Sequence, residues 1–160
     1  MKKAPITKAG FEKIKKDLEY LKNVAVPGNV RDIETARAHG DISENAEYTA
    51  AKERQSFIHG KIQELENNLA TSEIIDLKNL STDKVVFGVS VVIEDTKTGK
   101  DTTYQLVGPH ESDIGLNKIS VTSPIGKALV GKSVGDTARV NAPGGIREFD
   151  VMDIFISDQE

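Results

Sequence analysis

The sequence predicts an α+β protein of two domains: an antiparallel coiled-coil helical hairpin over residues 1–76, and a mostly antiparallel β-sheet with a short helix over residues 77–160. Two observations predict this division. Before Asp76, apolar residues recur every three or four positions, as they do along one face of an α-helix. After Asp76, segments rich in β-branched residues alternate with glycine- and proline-containing turns, which is typical of strands.

Composition restricts the class of protein. Of the 160 residues, 38% are hydrophobic and 29% charged, and no apolar run reaches the roughly eighteen residues of a membrane span. The first residues lack the apolar segment of a secretory signal, and the absence of cysteine excludes disulfides and thiolate metal sites, so a cytoplasmic location is expected. The net charge of −4 disfavours general nucleic-acid binding and favours a protein partner.

The first helical arm is expected to begin after Thr7, which is a suitable N-cap residue. Its apolar seam follows a heptad spacing through Phe11, Ile14, Leu18 and Leu21. Pro27 and Gly28 interrupt the pattern, and because proline removes a helical hydrogen bond we expect a kink or short break there. Gly40 is expected to end the arm as the residue after its C-cap.

The second arm carries a matching seam, so that the chain can fold back at Gly40 and zip as an antiparallel coiled coil. The seam residues are Ile58, Ile62, Leu65 and Leu69. Near the turn the expected seam residues are small, which predicts a slim tip: Ala36, Ala46, Ala50 and Ala51. With about 33 residues in each arm, the finger would be about 50 Å long.

The second half predicts strands joined by short turns. Residues 85–96 and 102–107 form an expected hairpin about a turn at 98–101, and residues 118–122 a third strand. Ser123 and Pro124 open a short helix through Leu129, with serine as the cap and proline at its first position. Residues 137–141 and 147–156 are expected to flank a final turn at 143–145.

Two carboxylates, Asp41 and Glu44, stand at the turn between the arms, and their spacing has two interpretations. An acid three residues before another at a helix start is typical of a capping box and of favourable interaction with the helix dipole. Alternatively, both carboxylates face solvent and supply part of a Mg²⁺ coordination shell, since this ion accepts one or two carboxylates and keeps several waters.

Other polar and aromatic residues lie close to this turn. Arg37 and Lys52, one on each arm, are either solvated surface charges or contacts to a phosphate backbone. Tyr48 is expected to pack across the tip or to offer a stacking surface for a base. The three histidines, His39, His59 and His110, show no metal-ligand spacing.

A resemblance to a known family extends over nearly the whole chain, in order. The residues that carry it are Ala36-Arg37, His39-Gly40-Asp41, Glu44-Asn45-Ala46-Glu47-Tyr48 and Ala50-Ala51 at the turn, Gly60-Lys61-Ile62 to Ile75-Asp76 in the second arm, Val86-Phe87-Gly88, Ile119-Ser120-Val121, Ser123-Pro124-Ile125, Leu129-Val130-Gly131-Lys132 and Pro143-Gly144-Gly145. The chain resembles the bacterial GreA/GreB family of transcript-cleavage factors.

This resemblance implies a factor that inserts its coiled coil into the secondary channel of RNA polymerase and stimulates the polymerase's own hydrolysis of backtracked RNA near its 3′ end. It implies that Asp41 and Glu44 help to hold a Mg²⁺ shared with the polymerase and position the attacking water. It also implies an FKBP-like second domain that docks at the channel rim near Ser123 and Pro124. Monomers are expected, because the helical seam is satisfied within one chain.

The resemblance further places Arg37 and Lys52 where the family has basic residues facing the RNA. Lysine at position 52 departs from the expected arginine, and an ammonium group cannot make the bidentate phosphate contact of a guanidinium. Three alternatives remain open: an inhibitory relative that occupies the same channel, a coiled-coil adaptor without chemistry, and a prolyl isomerase. The isomerase is the least favoured, because the second half has few aromatic residues to line a proline pocket.

Overall fold

The structure is a computed structural model that describes residues 3–157. The chain forms two compact units, one containing residues 12–71 and the other combining residues 1–11 with residues 72–160. The N-terminal segment therefore belongs with the sheet unit and not with the hairpin. The reason is a short parallel pair that spacing did not predict, in which β1 (Ala4–Ile6) is hydrogen-bonded to β2 (Ser72–Ile74).

The hairpin is helical as predicted. Its first arm runs through α1 (Lys8–Tyr20), a π-helical turn (Leu21–Ala25) and α2 (Val26–Ala38), and its second arm is α3 (Ala46–Ala70), about 37 Å long. The buried residues of the hairpin unit are Ile14, Asn29, Ile33, Ala36, Ala51, Ile58, Ile62 and Leu65. The predicted antiparallel coiled coil is thereby confirmed.

The expected break at Pro27 and Gly28 is wrong, because the backbone stays helical through both residues. Pro27 lies at the start of α2, and the irregularity precedes it as the π-helical turn, where the amide of Val26 donates to the carbonyl of Leu21. A π-helical turn contains one residue more than an α-helical turn, so its backbone amides donate to the carbonyl five residues earlier instead of four. Proline is tolerated near a helix start, where its missing N–H is not needed.

Near the tip only part of the predicted alanine seam is buried. Ala36 and Ala51 are buried, whereas Ala46 and Ala50 are exposed. In place of a further apolar contact, the buried Asn29 on α2 donates from Nδ2 to the carbonyl oxygen of Ala51 on α3 at 2.9 Å. This polar contact fixes α2 against α3, since a buried amide must keep a hydrogen-bond partner.

The second unit contains a five-stranded sheet in the order β5-β4-β3-β7-β6. The strands are β3 (Ser90–Asp95), β4 (Asp101–Val107), β5 (Lys118–Ser120), β6 (Thr137–Ala142) and β7 (Gly145–Phe155), with helix α4 (Pro124–Leu129) after β5. Within this five-stranded sheet, only the β4–β5 pair is parallel. The predicted hairpins, turns and short helix are confirmed, and the α+β class with them.

The core of this unit lies on the face of the sheet that α4 covers. Its buried residues include Ile93, Leu106, Leu129 and Val151, each at most 1% exposed. Within residues 3–157, none of the helices has the length and apolarity needed to cross a membrane.

Glu111 ties the N-terminal segment to the sheet unit. Its carboxylate accepts hydrogen bonds from the backbone amide of Thr7 at 2.7 Å, from the Thr7 hydroxyl, and from the amide of Gly108 at 3.1 Å. Thr7 also caps α1 as predicted, because its Oγ1 accepts from the amide of Gly10 at 3.0 Å. The approach is close: a Cβ at Gly108 would lie 1.7 Å from the carbonyl oxygen of Pro5.

We predict that Glu111→Ala loosens this junction. Hydrogen bonds to a charged group contribute about 1.5–3 kcal/mol, so amide exchange at Thr7 and Gly108 should accelerate by roughly 10- to 100-fold. Exchange measured by NMR checks this. Glu73→Ala is the control, because Glu73 is exposed and its side chain makes no hydrogen bond among the described residues. Equal exchange rates in the two variants would contradict the anchoring role.

Candidate functional site

The tip of the hairpin is a short polar connection between α2 and α3. Helix α2 ends at its C-cap His39, and Gly40 follows with φ of +127°, a conformation that glycine adopts at little cost. The prediction that Gly40 ends the first arm is confirmed. Asp41 then caps a single 3₁₀ turn, Ile42–Glu44, before α3 begins.

Asp41 is exposed, and one of its carboxylate oxygens is held by its neighbour Ser43. The Ser43 hydroxyl donates to Asp41 Oδ1 at 2.8 Å and the Ser43 amide donates to the same atom at 3.0 Å. The hydroxyl, and next to it the amide, lower the pKa of Asp41 from its ordinary value of 3.8. The side chain is therefore an anion at neutral pH, and its Oδ2 has no partner among the described residues.

Glu44 closes the 3₁₀ turn and is also exposed. Its carboxylate makes no hydrogen bond or ion pair within the part of the chain that the structure describes. The capping-box interpretation of Asp41 and Glu44 therefore holds only in part. Asp41 caps a 3₁₀ turn instead of the long helix, and Glu44 does not reach back to the turn's first amide.

The residue that caps α3 is Asn45, which the spacing of Asp41 and Glu44 did not predict. Its Oδ1 accepts from the amide of Tyr48 at 3.0 Å, while its Nδ2 donates to the carbonyl of Ala36 at the end of α2, at 2.6 Å. One side chain thus pairs an open amide of α3 and adds a second donor to the Ala36 carbonyl, which also accepts from the amide of His39 at 3.1 Å. Asparagine immediately before Ala46 was the available signal, since it is among the best N-cap residues.

Two further contacts cross the tip. The guanidinium carbon of Arg37 lies 5.9 Å from the centre of the half-buried Tyr48 ring, within cation–π distance. His39 Nδ1 lies 3.0 Å from a carboxylate oxygen of Glu47, an exposed pair that adds little stability. Tyr48 therefore packs across the tip, as one of its two interpretations predicts, and the structure brings Arg37 to it.

Lys52 stands apart from that cluster. Its ammonium donates to Gln55 Oε1 at 2.8 Å on the same helix, and the side chain is exposed. Its charge has no acidic partner among residues 3–157. Lys52 is thus available to an external anion without the prior loss of an ion pair.

The tip fits a divalent cation only as part of a larger site. Asp41 and Glu44 offer the hard oxygen donors that Mg²⁺ prefers. No group of three or more potential metal-ligating acidic, histidine or cysteine side chains occurs in the described residues. The chemistry of the donor set therefore suits an ion whose remaining ligands come from water and another molecule.

Ser123 and Pro124 lie in the sheet unit, at the start of α4. Ser123 is the predicted cap: its Oγ accepts from the amide of Gly126 at 3.1 Å and donates to the carbonyl of Ser120 at 2.6 Å. Both residues line a largely apolar cavity of about 430 Å³. Its other lining residues include Ile114, Ile119, Ile125, Val140, Pro143 and Phe149, with Lys118 and Arg147 as the charged members.

Comparisons with known proteins agree with this architecture. A model described as "Transcription elongation factor, N-terminal" matches residues 4–74, and one described as "Transcription elongation factor, GreA/GreB, C-term" matches residues 80–155. The protein named transcription elongation factor GreA of Syntrophus aciditrophicus is 68% identical over 160 residues, with 100% of this chain and 99% of that protein covered.

More distant relatives also align along the whole chain. The protein of the same name from Neisseria meningitidis serogroup A is 51% identical over 155 residues, 96% of this chain and 98% of its own. The crystal structure of GreA factor homolog 1 of Thermus thermophilus is 30% identical, with 96% of this chain and 99% of that chain covered and a TM-score of 0.44.

One family model covers the helical hairpin of this chain and the other covers its sheet domain, and both describe transcription elongation factors. The chain belongs to the GreA/GreB family of transcription elongation factors.

We predict that Asn45→Ala destabilises the tip by about 1–2 kcal/mol, because it removes the cap of α3 and leaves the Ala36 carbonyl without this donor. Amide exchange at Tyr48, measured by NMR, should accelerate. Asn45→Asp separates the two roles, since aspartate keeps the acceptor for Tyr48 but lacks the donor for Ala36. Unchanged protection of Tyr48 in Asn45→Ala would contradict the capping role.

Proposed function

We propose that this chain is an accessory factor of bacterial RNA polymerase in the cytoplasm, which rescues backtracked complexes by stimulating hydrolysis of the nascent RNA near its 3′ end. The hairpin tip enters the polymerase's secondary channel, and the polymerase's own active site cleaves the RNA. The observation that carries this proposal is a slim tip presenting two exposed carboxylates, Asp41 and Glu44, that belong to no metal-binding cluster among the described residues.

Asp41 and Glu44 would hold a Mg²⁺ jointly with the polymerase. When bound, this ion activates a water and offsets the charge that develops on the phosphate. The chain's own contribution is to supply anionic oxygens on a rigid support. Asn45 joins the ends of the two helices through its hydrogen bonds to Ala36 and Tyr48, and Ser43 restrains the Asp41 carboxylate. An accessory role follows, because two carboxylates alone do not make a phosphoryl-transfer site.

Arg37 and Lys52 would face the RNA. Both are exposed near the tip, one on each arm, and their positive charge favours a phosphate backbone in an otherwise acidic chain. The stack on Tyr48 restrains the Arg37 guanidinium and leaves its edge open to an anion. The Lys52 ammonium acts as a point charge.

The cavity beside Ser123 and Pro124 is the proposed docking surface for the polymerase. The chain would bind there as a monomer. The cavity's apolar lining and exposed rim suit a partner side chain of similar character. A prolyl isomerase is less well supported, because Phe149 is the one aromatic residue among the described residues that line this cavity.

We predict that Asp41→Ala and Glu44→Ala each reduce stimulated RNA cleavage by stalled polymerase at least about 10- to 100-fold, because each removes a metal-holding oxygen. Polymerase binding and the circular dichroism spectrum should not change. Cleavage of labelled RNA in backtracked complexes is the measurement.

Glu53→Ala is the matched control, because Glu53 is an exposed acid of α3 beyond the tip whose side chain makes no hydrogen bond or ion pair among the described residues. Full cleavage by the Asp41→Ala and Glu44→Ala double variant would refute the proposed role and favour an adaptor without chemistry. A wild-type chain that binds and only blocks cleavage would identify an inhibitory relative.

A separate prediction concerns docking. Ile114→Asp places a charge on the cavity wall at a position 69% exposed, so the fold should tolerate it while affinity for polymerase falls by roughly 10-fold or more. Val134→Asp, at a 56% exposed position outside the cavity lining, is the control. Equal affinities of the two variants in a competition binding assay would remove the cavity from the docking surface.

A further inference from the structure

Ser43 lies between the two tip carboxylates and contacts one of them in an asymmetric way. Both of its donors, the hydroxyl at 2.8 Å and the amide at 3.0 Å, bond to Oδ1 of Asp41. Neither bonds to Oδ2, which has no partner in residues 3–157. The serine therefore distinguishes two oxygens that an unrestrained carboxylate would present equally.

This restraint matters because Asp41 has little else to hold it. The side chain is exposed and is not among the buried residues of the hairpin unit. An exposed aspartate samples several rotamers, and fixing one of them on binding has an entropic cost. The backbone amide alone would hold Oδ1 through a single hydrogen bond, whereas the hydroxyl adds a second donor to the same oxygen.

We propose that Ser43 is a positioning residue, which holds Asp41 through Oδ1 so that Oδ2 is presented to the shared metal ion. This inference rests on the proposed function. Ser43 itself touches neither metal nor RNA in this role. It acts through Asp41, by paying in advance the conformational cost of ordering the carboxylate.

The test compares Ser43→Ala, which lacks the hydroxyl, with Ser43→Thr, which keeps it, in the full-length chain. In backtracked complexes, Ser43→Ala should raise the Mg²⁺ concentration at half-maximal stimulated cleavage by about 3- to 10-fold, the equivalent of the ordering cost. Affinity for polymerase should be unchanged, and Ser43→Thr should behave as the wild type.

A second readout needs neither polymerase nor metal. Three-bond couplings of the Asp41 β-protons report its rotamer populations by NMR. The wild type and Ser43→Thr should show the unequal couplings of one dominant rotamer, and Ser43→Ala should show averaged values. If Ser43 only stabilised the fold of the tip, its loss would also expose the amide of Tyr48, which is bonded to Asn45. Changed couplings at Asp41 with Tyr48 still protected therefore identify a positioning role.

Unchanged couplings and an unchanged Mg²⁺ midpoint in Ser43→Ala would overturn the inference, as would failure of Ser43→Thr to restore both. Asp41→Ala separates this inference from the proposed function. Loss of cleavage in Asp41→Ala with no effect in Ser43→Ala overturns only the role of Ser43. Full cleavage in Asp41→Ala overturns the proposed function and the metal-directed role of Ser43 together.

Discussion

The Asn45 side chain closes the hairpin, and the rest of the tip depends on that closure. Two helices that meet end to end leave unpaired carbonyls on one and unpaired amides on the other. Asn45 bonds to both ends: it pairs the open Tyr48 amide of α3 and donates to the Ala36 carbonyl of α2. The contact fixes where α2 stops and α3 starts. The antiparallel seam that follows, with Asn29 bonded to Ala51 in its first layers, keeps that register.

Because Asn45 caps α3, neither Asp41 nor Glu44 is needed to cap that helix. Asp41 caps only a 3₁₀ turn and uses one oxygen to do so, and Glu44 has no partner among the described residues. Structural and chemical roles are therefore divided among adjacent side chains. In a family of transcription elongation factors, this division is consistent with a tip that presents anionic oxygens to a site completed by another molecule.

In the sheet unit, polar side chains also hold neighbouring segments in place. Glu111 gathers donors from Thr7 and Gly108, and the lack of a side chain at Gly108 permits the approach of Pro5. The cap of α4 by Ser123 sets one wall of the apolar cavity, so the same residue is both a structural cap and part of the proposed docking surface.

The sequence by itself determined the α+β class, the two helical arms, the end of the first arm at Gly40 and nearly every strand of the sheet, because these depend on local periodicity and turn chemistry. It also singled out Asp41, Glu44, Arg37, Lys52 and Tyr48. Tertiary structure decided the rest: the β1–β2 pair, the Glu111 junction, the choice of Asn45 as the cap, and the π-helical turn before Pro27. Each of these joins groups that are distant in sequence or compete for the same local role, and only folding establishes which partners meet.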